Sequence, residues 1–212
     1  MPVADLKQTY IFRIAHVDNL PYIVRTGLLH APLHPDADPN YIQIGDKQLT
    51  GKRGQTAVPV GPGGTFRDYV AFYFGPRQPM LYCIKHGNLF VTKRPMEEIV
   101  YMVSNVELVA ASGRPFVFYD GHAYDDFSTP YTDLADLDQI NKKDTYAKYW
   151  QDENDPDLKR RKQAEFLVYN ELPFDHVTHT VVYNDACAQK VQGYLPNGSH
   201  APSILVKPNF YF

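Results

Sequence analysis

KRRKQAEFLVYNELP, residues Lys159–Pro173, is the stretch on which the reading of this chain turns. Four cations, Lys159, Arg160, Arg161 and Lys162, run straight into AEFLVY, a short aromatic and β-branched run that predicts a strand. Alternation places Glu165, Leu167 and Tyr169 on one face of that strand, with Phe166 and Val168 on the other. Glu165 stands out, because a carboxylate that opens an apolar strand sits where desolvation and neighbouring charge tune its proton affinity. The same position also suits a charge that blunts an edge strand, or a partner for the adjacent cations.

Working outward, further strands are predicted at Thr9–Ala15, Asp68–Phe74, Ile99–Ser104, Pro115–Gly121 and His179–Asn184, with ILVKPNFYF closing the chain. Helical patterns are short. In VDNLPYIVRTGLL, Asp18 or Asn19 serves as cap, Pro21 fits the first turn and Gly27 ends the helix. Others fall at Leu134–Ile140, Thr145–Trp150 and Asp185–Gly193. Strands dominate without βαβ alternation, so the expectation is one α+β domain over residues 1–212, built on antiparallel sheet. Residues His30–Gly64, rich in Pro, Gly, Asp and Asn, read as a long irregular loop of the kind that carries function. It holds Arg53, with Lys47 and Lys52 nearby and Arg67 further on; such a loop suits a bidentate grip on a diphosphate, or a solvated surface.

A net charge of −3 excludes a globally basic nucleic-acid coat protein but not a local cationic groove. The 16 Tyr and 12 Phe offer faces for stacking on bases, and strand and core positions use the same residues. Cys83 and Cys187 lack CxxC spacing and supply no zinc site, which points to reduced thiols in a cytoplasm. Met1–Tyr10 lacks the apolar run of a signal peptide, and no stretch approaches membrane-spanning length. GxGxxG, GxxxxGK[ST], HExxH and GxSxG are all missing. His176 and His179 fall on opposite faces of an extended segment, so no metal is expected there. Composition and spacing therefore reach a mixed domain with an anion-binding loop, and no reaction.

Read in order, four segments resemble the DarT family of DNA ADP-ribosyltransferases: IFRIAHVDNLPYIVRTG (Ile11–Gly27), GPGGTFRDYVAFYFGPRQPMLY (Gly61–Tyr82), FYDGHA (Phe118–Ala123) and RRKQAEFLVYNELP (Arg160–Pro173). The terminal NFYF is similar to the family's aromatic end. The resemblance implies an ADP-ribosyltransferase-like fold of the diphtheria-toxin and poly(ADP-ribose)-polymerase type, a split antiparallel sheet with NAD⁺ in the cleft and no metal. It implies Glu165 and Arg53 as catalytic residues, and NAD⁺ contacts at Arg13, Ala15, His16, Asn19, Arg53, Tyr73 and Met80. It turns His122, Arg77 and Lys159, Arg160, Arg161 and Lys162 towards single-stranded DNA. The chain departs from the family's pattern at Arg13 and Ala15, where many members carry histidine and threonine.

The implied chemistry suits these residue types. Loss of nicotinamide builds an oxocarbenium-like ribose, which a carboxylate stabilises through the 2′-hydroxyl while also taking the proton of the incoming base. Family members modify thymine or guanine, and Arg13 with Tyr41–Arg53 inclines the reading to guanine. A macrodomain-containing antitoxin resembling DarG is the implied partner, and blocked replication the implied effect. RNA or protein as acceptor, or a non-catalytic nucleic-acid-binding module of the same fold, are the alternatives.

Overall fold

The computed structural model describes residues 9–195 and 201–212; the reading of Met1–Tyr10 as free of a leader falls mostly outside them. Among the described residues ten strands form: β1 (Tyr10–His16), β2 (Leu28–His30), β3 (Tyr69–Tyr73), β4 (Ile99–Asn105), β5 (Phe116–Tyr119), β6 (Pro130–Tyr131), β7 (Glu165–Tyr169), β8 (Glu171–Pro173), β9 (His179–Val182) and β10 (Ser203–Val206). Seven helices join them: α1 (Leu20–Thr26), α2 (Lys47–Arg53), α3 (Pro79–His86), α4 (Val106–Ala111), α5 (Lys142–Thr145), α6 (Leu158–Lys162) and α7 (Asp185–Gln192). Eight strands make one sheet in the order β10-β9-β4-β1-β3-β7-β5-β6, and β2 pairs with β8 in a second. Every pairing is antiparallel except β9 with β10, which is parallel. The expected antiparallel α+β fold stands, with that one parallel edge added.

Runs without polar interruption become interior strands, because a strand covered on both faces has no side left for water. IVYMVS of β4 and EFLV of β7 are buried throughout. One face of the sheet packs Val70, Phe72, Phe166 and Val168 against α1, α4 and α7 through Leu20, Ile23, Val109 and Val191. The other packs Phe12, Ile14 and Tyr101 against Leu81 and Ile84 of α3 and against Tyr211.

The sheet is split at its middle. Strand β1 pairs with β4 along seven positions, Tyr10↔Asn105 to His16↔Ile99, but meets β3 at Phe12↔Tyr73 alone. Where the ladder fails, the Arg13 guanidinium donates to the Ala71 carbonyl of β3 at 2.9 Å and stands in for a lost backbone partner.

Local readings meet mixed outcomes. Gly27 ends α1 in the left-handed region at φ 71°, as its sequence demands. Asn19 occupies the N-cap position of α1 but its side chain makes no capping bond, being committed to Ile42, and His16 accepts from the Asp18 N–H one turn earlier. The irregular loop starts at the last residue of β2 and contains α2, so Arg53 closes a helix capped by Asp46, rather than riding a flexible segment. Thr145–Trp150 is not helical, and α5 stops at Thr145. No helix among the described residues is long and apolar enough to cross a membrane.

Candidate active site

Glu165 opens β7, which lies between β3 and β5, so it is no edge-strand charge. Register places it between Tyr73 of β3 and Tyr119 of β5 in one row across three strands. Its residue is 1% exposed, and its partner is not the neighbouring cation run but Arg53, 112 residues away. Arg53 Nη1 donates to Oε1 at 2.8 Å and Nη2 to Oε2 at 2.6 Å, a bidentate charge-assisted pair. The Ala123 N–H adds a third bond to Oε1 at 3.0 Å. Burial alone pushes this carboxyl up; Arg53 and the Ala123 amide outweigh it and leave the group below its ordinary value, ionised at neutral pH.

Arg53 is held from below as well as in front. The Phe66 ring lies 4.7 Å from its guanidinium carbon, a cation–π contact, and the Phe66 turn is fixed by a capping box between Thr65 and Asp68. His122 Nε2 lies 3.5 Å from Arg53 Nη1 and 3.9 Å from Glu165 Oε1. Burial is the main reason its imidazole is depressed below the ordinary histidine value, so it stays neutral beside Arg53.

This pair sits in a cleft of about 350 Å³ that is also lined by Arg13, Tyr73, Met80, His122 and Lys159. The Tyr73 hydroxyl points at the Met80 sulfur, 3.8 Å away. A second basin of about 400 Å³, bounded by Tyr22, Ile23, Leu29 and His30, adjoins it and shares Arg13, Tyr41, Gln43, Thr50 and Arg67. Such volumes suit a small ligand with several parts.

The other expected contacts divide. Ala15 is fully buried in the core and His16 is turned to Glu98 at 3.2 Å, so neither lines the cleft. Asn19 is buried and clamps the Ile42 backbone through both its amide groups, which holds the Tyr41–Asp46 wall in place. Arg77 bonds the Tyr211 carbonyl and stacks over Phe212 at 4.3 Å, so its charge serves the chain's end. Of the four cations before β7, Lys159 alone lines the cleft. Arg160 is engaged by Asp120 and Asp157, and Arg161 by Asp144, Asp155 and Asp157. Lys162 is wholly buried and donates to the Pro76 and Thr145 carbonyls at 2.8 and 2.7 Å, which corrects its reading as a DNA contact. Sequence reading also missed Phe66, Tyr119 and the Ala123 amide. Only the Asp46 cap before KQLTGKR was a signal that α2 exists.

Outside the cleft, His30 and His34 approach Glu171 Oε2 at 3.7 and 3.4 Å, and Arg114 takes Oε1 at 2.6 Å. The Asp36 N–H bonds His34 Nδ1, which leaves the neutral ring's proton on Nε2, facing the carboxylate. The group is thus an ion cluster around the Glu171 carboxylate, in which His30 Nε2 is buried without a hydrogen-bond partner.

A carboxylate fixed at the floor of a cleft, with a guanidinium and a neutral imidazole beside it, can stabilise positive charge developing on a bound group and accept a proton. Comparison with known proteins agrees in kind. Residues 12–212 match the family model described as "DarT: ssDNA thymidine ADP-ribosyltransferase, DarT". A DNA ADP-ribosyl transferase of Escherichia coli O127:H6 is 39% identical over 97% of this chain and 94% of its own. The structure of Thermus sp. 2.9 DarT in complex with ADP-ribosylated single-stranded DNA aligns with a TM-score of 0.87 at 33% identity, covering 97% of each chain. The same Thermus protein in complex with NAD⁺ aligns with a TM-score of 0.83, covering 96% of this chain and 98% of that one. By fold, by sequence and by the composition of its cleft, the chain belongs to the DarT family of NAD⁺-dependent DNA ADP-ribosyltransferases.

Proposed function

We propose that this single-domain protein is a toxin that transfers ADP-ribose from NAD⁺ to a base of single-stranded DNA, with Glu165 and Arg53 as its catalytic residues. The observation that carries the reading is the buried Glu165 carboxylate, presented on an interior strand and held by Arg53 and the Ala123 amide. NAD⁺ is a co-substrate, and the NAD⁺ complex of the Thermus relative supports its place in this cleft. Arg13, Tyr73 and Met80 are the proposed NAD⁺ contacts, while Ala15, His16 and Asn19 act through packing and through the Ile42 wall.

The reaction breaks the bond between nicotinamide and ribose C1′ and forms one from C1′ to a base nitrogen. Nicotinamide leaves with the bonding electron pair, and the base nitrogen supplies the new pair and gives up its proton. Glu165 stabilises the electron-poor ribose through the 2′-hydroxyl and takes that proton. An exposed single strand allows the acceptor to enter without unpairing. His122 and Lys159, both at the cleft, are the residues proposed to face it.

Thymine is the acceptor we infer, since the matched family model is described by thymidine. Guanine, towards which Arg13 and Tyr41–Arg53 incline, is the alternative acceptor. Modified template bases would stop replication, and a macrodomain hydrolase is the partner proposed to reverse the mark. The test is mass spectrometry of nucleosides from single-stranded DNA treated with protein and NAD⁺. ADP-ribosyl-thymidine is the expected product; ADP-ribosyl-guanosine would restore the guanine reading, and label found only on RNA or protein would overturn the DNA reading.

A further inference from the structure

Arg53 is the cation that the sequence offers for a diphosphate, yet both of its terminal nitrogens are bonded to Glu165. Two other guanidiniums line the boundary shared by the two basins, those of Arg13 and Arg67. Among the described residues neither has a carboxylate partner. Arg13 Nη1 and Nη2 donate to the Ala71 carbonyl and the Tyr41 hydroxyl, both neutral acceptors, which aims the group while leaving its charge uncompensated.

Arg67 is exposed at its rim, and its course is built in. A Cβ at Gly54 would collide with the Arg67 stem, so the absence of a side chain at Gly54 lets Arg67 cross the end of α2. The carboxylate next to Arg67, Asp68, is engaged by the Thr65 N–H and hydroxyl, and Asp46 is engaged by the Leu49 N–H.

Basins of about 350 and 400 Å³ on either side of a cationic seam match a ligand with two nucleoside-sized ends and an anionic centre. We propose that Arg67, together with Arg13, binds the diphosphate of the dinucleotide at this seam, while Arg53 is reserved for Glu165. The inference rests on NAD⁺ as co-substrate. A phosphodiester of the DNA shares the chemistry, but the seam lies between two concave basins, which favours a diphosphate flanked on both sides.

The test is calorimetric titration of the parent protein, Arg67→Gln and Arg67→Lys with ADP-ribose and, separately, with a short oligothymidylate. Charge-assisted hydrogen bonds of ordinary strength predict ADP-ribose binding roughly 10- to 100-fold weaker in Arg67→Gln. Arg67→Lys, which keeps a point charge, falls between Arg67→Gln and the parent, and oligothymidylate binding changes by less than about threefold. Unchanged melting temperatures confirm that the exposed substitution leaves the fold alone. ADP-ribose binding by Arg67→Gln as tight as the parent's overturns the inference, as does a loss confined to oligothymidylate, which would assign Arg67 to the DNA. A parent that binds no ADP-ribose overturns the co-substrate reading itself, a result distinct from either.

Discussion

Arg53 Nη1 and Nη2 face Glu165 Oε1 and Oε2 at 2.8 and 2.6 Å, so each of the two charged residues is the other's counter-ion. The pair joins α2 to β7 and leaves the Glu165 side chain 2% and the Arg53 side chain 16% exposed. Arg53 therefore borders the cleft, while its partner forms the floor.

Glu165→Gln keeps the shape of that floor and removes its charge. Loss of a group used in the transition state costs about 2.7–4 kcal/mol, or 10²–10³ in rate. Single-turnover transfer from labelled NAD⁺ to an oligonucleotide measures it, and a parent-like rate refutes the assignment. Glu165→Ala does more than remove chemistry. It leaves Arg53 without its counter-charge, so we expect it to unfold more easily as well, by roughly 3 kcal/mol at the lower end for a broken buried pair. A control for fold therefore accompanies any Ala variant.

Acid exposes the same pair. The ordinary carboxyl value is 4.5; burial pushes it up, and Arg53 more than reverses this. A carboxyl lower in the folded than in the unfolded chain contributes its full stability above 4.5 and loses it as pH falls through the folded value. Urea unfolding from pH 7 to pH 3 should show the parent's advantage over Glu165→Gln narrowing below 4.5. A gap constant with pH would show that the carboxylate is not held by Arg53.

Lys162 gives the opposite slope. Burial, with Arg77 adding to it, pushes its amine from 10.5 down to about 7. Between those values the unfolded chain holds a proton that the folded chain does not, so stability rises with pH across that range. Relative to Lys162→Met, the parent should gain stability from pH 7 to pH 10, read from denaturant midpoints. No difference in slope would mean that the folded amine stays protonated on its two carbonyls.

Lys159 and Arg161 lie two residues apart with different work to do. Lys159→Gln should lower the salt dependence of oligonucleotide binding by about one unit of slope, the signature of one lost phosphate contact. Arg161→Gln should leave that slope alone and lower the melting temperature, because buried Asp144 loses a partner at 2.6 Å. Equal effects of the two variants on the slope would return Arg161 to the DNA-facing surface.

The two faces of β7 were legible, because alternation at Glu165, Leu167 and Tyr169 is a period-two property of neighbours. So was the stop of α1 at Gly27. The pairing of Glu165 with Arg53 was open only to kinship with a family, since no local rule links residues 112 positions apart. Kinship misplaced the basic run: Arg160, Arg161 and Lys162 look like a phosphate track in one dimension. They are taken up by Asp120, Asp144, Asp155, Asp157 and two carbonyls, which only tertiary structure brings to them. Helix α2 was missed because seven residues with Gly51 inside and Gly45 and Gly54 beside them carry little intrinsic helical preference; its Asp46 cap and tertiary packing decide it.

The sheet's split has a consequence for how the two halves can vary. Since β1 and β3 share one ladder position, Phe12↔Tyr73, an adjustment on the β1 side has a single backbone register point through which to reach the row Tyr73, Glu165, Tyr119. The side bearing Arg13 can therefore be retuned for a different ligand edge while the side bearing the acid keeps its geometry. Substitutions at Arg13 should change what is held far more readily than they change how the bond is broken.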